Sequence, residues 1–142
     1  MSTVEKIMST HVVTVDMDDT LKDIREIFEH AGFHHILVID NKKLVGIISD
    51  RDLLKAVSPY ANTPSERSRD AATLKNRAHQ IMTRKPITID IDGSVLDAIR
   101  SFVDQKISCL PVLNKDGSVA GILTWRDILK AIAATVEKTH KE

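Results

Sequence analysis

The sequence predicts an α/β fold made of two copies of one β-α-β-β-α unit, packed about a pseudo-two-fold axis. Three observations lead there. Gly46-Ile47-Ile48-Ser49-Asp50-Arg51-Asp52 is written a second time as Gly121-Ile122-Leu123-Thr124-Trp125-Arg126-Asp127. Ile7-Met8 and Val13-Thr14-Val15-Asp16 recur as Ile81-Met82 and Ile87-Thr88-Ile89-Asp90, at a common offset of 74 (Met8 to Met82). Apolar runs alternate with amphipathic ones in the same order in both halves. A unit of about 55 residues has little core of its own, so the two copies are expected to pack face to face. The expected layout is a first repeat over residues 1–57, a linker loop and helix over 58–80, a second repeat over 81–136 and a frayed tail over 137–142.

Each element has a local cause. Val12 to Val15 is a short β-branched run, read as a strand. Thr20, with Asp23 three residues on, starts a helix whose apolar stripe is Leu21, Ile24, Ile27, Phe28 and Ala31. Gly32 is its natural stop. In the second copy Ser94 and Asp97 take the capping positions and Val95, Ala98, Ile99, Phe102 and Val103 the stripe. Two strands follow in each copy, Ile36 to Ile39 with Leu44 to Ile48, and Leu110 to Leu113 with Val119 to Leu123. Their nearly unbroken apolar character suits strands buried on both faces. The intervening Asn41-Lys42-Lys43 and Asn114-Lys115-Asp116-Gly117 are turns, where one inserted residue costs little. The duplicated heptapeptide then opens a last helix in each copy. Between the copies, Ser58 to Pro64 reads as a loop, and Thr63 or Ser65 as the cap of a charged surface helix reaching Ala78.

The heptapeptide supports two readings. In the first it binds a small polar ligand. The glycine permits close approach to the backbone, Ser49 or Thr124 stands where a helix start leaves N–H donors for phosphate, and Asp52 or Asp127 can accept from vicinal hydroxyls such as those of ribose. In the second, the hydroxyl residues are helix caps and the aspartates complete capping boxes. Composition narrows the class. The 20 basic and 20 acidic residues cancel, so the surplus that nucleic acid or an anionic membrane requires is missing. No apolar run is long enough to span a bilayer, the N-terminus from Met1 lacks a signal-peptide pattern, and Cys109 has no internal disulfide partner. These features point to the cytoplasm.

The repeated unit ending in Gly-Ile-x-Ser/Thr-x-x-Asp resembles the cystathionine-β-synthase (CBS) domain, and the tandem resembles a Bateman module. The resemblance runs from residue 4 to about 136. Leu110-Pro111-Val112 is similar to the signature of the family's second strand, whereas the first copy reads Ile36-Leu37-Val38. Ser49-Asp50-Arg51-Asp52, the Ser58-Pro59 linker and Cys109-Leu110-Pro111-Val112 look closest to stand-alone bacterial modules of the acetoin-utilisation type. The resemblance implies adenosine-ligand binding (AMP, ADP or ATP, alternatively S-adenosylmethionine or NAD) in clefts built across both repeats. One cleft would combine Ser49 and Asp52 with Thr83, Pro86, Ile87, Thr88, Ile107 and Ser108. The other would combine Thr124 and Asp127 with Ser9, Val12, Val13, Thr14, Phe33 and His34. It further implies a regulatory module that signals to a separate protein, and a homodimer. Helix faces around Leu53, Leu54, Ile128, Leu129 and Ile132 are the expected contact. His34 stands where many members carry a basic residue near phosphate, so the two clefts are expected to differ in charge. The competing function is a structural or interaction module with vestigial clefts.

Other features favour plain readings. The six histidines show no helical i, i+4 ligand pair, because the stop at Gly32 lies between His30 and His34, and no metal site is expected. His30 and His79 lie near helix ends, and His11 and His140 read as surface residues. Cys109 reads as a buried small hydrophobe, and no nucleophile is paired with a base, so no catalysis is expected. Trp125 reads as a dimer contact or as a lid over a base. Arg67, Arg69, Lys75 and Arg77 alternate with Glu66 and Asp70, as on a solvated helix face.

Overall fold

A computed structural model describes residues 3–141. The chain forms two compact units, one of Val13–Pro86 and one of Met1–Val12 with Ile87–Glu142.

The first unit holds a four-stranded sheet in the order β1-β2-β3-β4. β1 (Thr14–Asp16) runs parallel to β2 (His35–Asp40), and β3 (Lys43–Ser49) is antiparallel to both β2 and β4 (Thr83–Arg84). Asn41 and Lys42, at φ 50° and 65°, make the two-residue hairpin between β2 and β3, a turn whose handedness matches strand twist. α1 (Leu21–Ala31) begins at Thr20, whose hydroxyl accepts the Asp23 N–H, and ends at Gly32 with φ 67°. A residue without Cβ adopts that conformation at no steric cost. α2 is Asp50–Ala56, α3 Ser68–Thr73 and α4 Ala78–Ile81. Leu21, Ile24, Ile36, Val38, Ile48 and Leu53 meet Ala78 and Met82 in the core.

The second unit repeats this plan. β5 (Ile89–Asp90) runs parallel to β6 (Cys109–Leu113), which is antiparallel to β7 (Val119–Thr124). α5 (Val95–Gln105) is capped by the Ser94 hydroxyl, and α6 spans Trp125–Lys141. The hairpin between β6 and β7 is longer than its counterpart, with Gly117 at φ 88°, which accommodates the expected inserted residue. Val4, Ala98, Phe102, Leu110, Val112, Leu123 and Ile128 form the core.

The units cut across the repeats read from the sequence, because the segment ahead of each repeat packs on the other repeat. A 3-10 turn at Val4–Lys6 joins the second unit: the Val4 N–H donates to the Gly93 carbonyl at 2.9 Å, and Ser9 bridges Ile122. Correspondingly, the Ala78 N–H donates to the Asp19 carbonyl at 2.8 Å, and Thr83 pairs with Ile47.

Three expectations change. The first strand begins at Thr14, not Val12. The linker helix is two short helices, and the linker is not wholly a solvated face. Asp70 is buried because its carboxylate accepts from the Arg67 N–H and the Ser58 hydroxyl, and Ala78 is drawn into the core. The tail is helical to Lys141, since no glycine or proline interrupts α6; Glu142 lies outside the described residues. The Thr135 and Thr139 hydroxyls donate to the carbonyls four residues back.

Candidate functional site

In each unit the heptapeptide is the end of a strand and the first turn of a helix. The Ser49 hydroxyl accepts the Asp52 N–H at 3.1 Å, and Oδ2 of Asp52 accepts the Ser49 N–H at 2.8 Å. Oδ2 of Asp127 accepts the Thr124 N–H at 2.9 Å and the Thr124 hydroxyl at 3.2 Å. The capping-box reading is therefore realised in both copies. It does not exclude a ligand, because the box engages Oδ2 and fixes the carboxylate, with Oδ1 outside these bonds.

The glycines have another occupant than a ligand. A Cβ on Gly46 would collide with the sulfur of Met82, and one on Gly121 would lie 2.6 Å from the Ser9 carbonyl oxygen and 2.8 Å from the Met8 sulfur. What approaches the backbone is the leading segment, through its methionine at Gly46 and through the Ser9 carbonyl with the methionine at Gly121. The signal was visible as the Ile-Met pair repeated at the same offset as the strands.

Eight of the expected site residues, Val13, Thr14, Phe33, His34, Ser49, Asp52, Thr83 and Pro86, belong to the first unit. The other eight, Ser9, Val12, Ile87, Thr88, Ile107, Ser108, Thr124 and Asp127, belong to the second. Within the first unit, β4 sets Thr83 two residues from Ser49 along β3. Nδ1 of His34 lies 2.9 Å from Oδ2 of Asp50, and the His34 carbonyl accepts the Asp50 N–H. That bond holds the Asp50 carboxyl below its ordinary range. Nothing in the sequence signals this pair, since the two residues are 16 apart and no spacing rule joins them. His35, paired opposite Ser49, has its basicity lowered by burial, against the opposing pull of Asp50. Thr14 pairs with Leu37, whose N–H donates to the Val13 carbonyl at 3.0 Å. Within the second unit Ser9 bridges Ile122 beside Thr124, and Cys109 pairs with Thr124. Burial, with the Asp127 charge, pushes the Cys109 thiol up to about 12, so it is an inert hydrophobe. Trp125 stacks against Phe102 with centroids 5.1 Å apart and stays 39% exposed. Among the described residues no cluster of histidine, cysteine and carboxylates has metal-binding geometry. No helix of these residues is long and apolar enough to cross a membrane.

Comparison with known proteins identifies the repeat. The CBS domain family is matched twice, over residues 4–59 and 78–134. A CBS domain-containing protein of Dictyostelium discoideum is 31% identical over 136 residues, covering 94% of this chain and 93% of that one. A homoserine O-acetyltransferase of Methanococcus vannielii is 28% identical over 131 residues, and there the matching segment is 24% of the enzyme. Among solved structures, a protein assigned to acetoin utilization in Vibrio cholerae superposes with TM-score 0.80 at 26% identity, covering 100% and 98% of the two chains. CBSX2, solved in complex with AMP, gives 0.78 at 26% identity, covering 96% and 99%. A CBS domain pair solved with 5′-methylthioadenosine and S-adenosyl-L-methionine gives 0.77 at 26% identity, covering 95% and 98%.

Proposed function

The chain belongs to the CBS domain family as a tandem pair, and from that premise we propose that it is a regulatory module that binds an adenosyl ligand and passes the signal to a separate protein. The observation that carries this reading is the duplicated Ser/Thr-x-x-Asp turn. In both units a capping box orients a carboxylate while engaging only one of its oxygens. A carboxylate so held accepts from vicinal ribose hydroxyls without first losing side-chain freedom. The similar pairs solved with AMP and with S-adenosyl-L-methionine support the ligand class. Asp52 and Asp127 are assigned to ribose, Ser49 and Thr124 to ribose or phosphate, and the remaining residues named from the resemblance to the base and the phosphates. AMP, ADP or ATP are the first ligands to test. The reading includes no catalytic step.

The test is calorimetric titration with AMP, ADP, ATP and S-adenosylmethionine. Asp52→Asn and Asp127→Asn keep a capping acceptor while removing the charge. Each is expected to weaken binding at one site about tenfold or more, the scale of one charge-assisted hydrogen bond. The melting temperature of the ligand-free protein should move little. A double variant that binds like the wild type would remove the ribose assignment. Absence of a ligand-dependent rise in Tm across the panel would favour a structural module with vestigial clefts.

A further inference from the structure

We propose that the linker carries a separate anion site that takes a phosphate group, between Arg67 and Arg69. A cavity of about 250 Å³ opens there, lined by Tyr60, Ser65, Arg67, Arg69 and Asp70. The two arginines are exposed. Among the described residues neither guanidinium takes part in an ion pair or a hydrogen bond, although Arg25 pairs with Glu29 and Lys115 with Asp92 elsewhere. The acid in the wall feels both arginines but offsets only one of the two charges. Asp70 is only 7% exposed, and both of its oxygens are engaged, Oδ1 by the Ser58 hydroxyl at 2.7 Å and Oδ2 by the Arg67 N–H at 2.9 Å. Two positive groups against one committed negative group leave the cavity cationic.

The frame around it is ordered. The Thr73 hydroxyl donates to the Asp70 carbonyl at 2.7 Å and accepts the Ser58 N–H at 3.1 Å. The Asn62 N–H donates to Glu66 Oε2 at 2.9 Å. A fixed frame leaves only the side chains themselves to be ordered on binding. A guanidinium offers a planar fork of donors suited to a tetrahedral oxyanion, and Tyr60 and Ser65 add hydroxyls. Paired guanidinium groups favour a phosphate dianion over a carboxylate. The site shares no residue with either duplicated motif, so it stands or falls independently of the adenosyl reading.

The experiment is a titration of the full chain, labelled with ¹⁵N, with inorganic phosphate at constant ionic strength, with chloride as the blank and glycerol phosphate in a parallel arm. Saturable shifts are expected at the Tyr60 and 65–70 amides. Arg67→Gln with Arg69→Gln should weaken the apparent affinity about tenfold or more, and Arg69→Lys, which keeps charge without the fork, should fall between. Asp52→Asn with Asp127→Asn should leave the linker titration unchanged. Saturation by phosphate alone marks free phosphate as the ligand, and saturation by both marks a phosphorylated metabolite. Shifts that never saturate, or a double arginine variant that titrates like the wild type with its remaining spectrum intact, overturn the proposal. So does a response lost only in the aspartate variant, which would place phosphate at the duplicated motifs.

Discussion

At Gly46, a single hydrogen in place of a side chain decides how a strand meets its neighbour. Met82 fills the space that a Cβ would need, and three of its side-chain atoms crowd the position. Gly46→Ala should therefore cost about 1–3 kcal/mol, the usual penalty of overpacking. Methionine is unbranched, so shortening it relieves the clash, and Gly46→Ala combined with Met82→Ala should be less destabilising than the sum of the two singles. Gly121→Ala should have no such rescue from Met8→Ala, because there the nearest atom is the Ser9 carbonyl oxygen, at 2.6 Å. Equilibrium urea unfolding of the two mutant cycles checks this, and equal coupling in both would contradict it. The sequence made the glycines conspicuous but not their occupants, since a motif shows that something approaches and leaves open what. Caps are more legible: Thr20, Ser94 and Ser49 each bond the third residue on, as their spacing implies.

Strands and helices were readable where the cause is local and obscure where it lies across the fold. Pro111 shows both. Its place in an apolar run predicts a strand, and it sits in the middle of β6. Having no N–H, it cannot make the bond that its counterpart Leu37 gives to the Val13 carbonyl. Accordingly β5 starts pairing at Ile89 with Val112, whereas β1 starts at Thr14 with Leu37. The linker's organiser is a buried carboxylate, which charge alternation disguises as a surface residue. The Ser58 hydroxyl, and after it the Arg67 N–H, holds the Asp70 carboxyl below its ordinary 3.8. A carboxyl with a depressed folded value adds stability above its unfolded value, and that contribution disappears as pH falls through the folded one. Asp70→Asn should therefore have a lower Tm than the wild type by a constant margin between about pH 7 and pH 5, and the margin should shrink below about pH 4. Melting curves across that range test it. A margin unchanged down to pH 2.5 would mean that Asp70 acts through shape and not through charge.

Across the whole chain, the repeat told the order of elements but not which halves exchange their leading segments. That exchange depends on Val4, fully buried in the second unit, and Ala78, fully buried in the first. Both are small apolar residues that carry no sign of which core they enter. The same limit applies to the surfaces left over. Leu53 and Ile128, expected on an exposed face, are core residues, since the second helix of each repeat needs one large side chain against its sheet. Leu54 is 78% exposed and Leu129 59%. On α6 the exposed apolar residues Trp125, Leu129, Ile132 and Val136 recur at steps of four, three and four, so they share one side of the helix. Water contact over such a stripe is unfavourable by about 25 cal/mol for each Å² of apolar surface, and a stripe of this kind marks an interface. A second copy is the expected partner, because a two-fold axis lets one surface satisfy itself. Light scattering should give a mass near twice 15.8 kDa at tens of micromolar. Leu129→Glu would set two carboxylates against each other across an isologous contact, and should return the mass to that of one chain without lowering the content of helix. A wild-type mass near 15.8 kDa at those concentrations, or a Leu129→Glu variant that stays associated, would leave the α6 stripe without the partner argued for it.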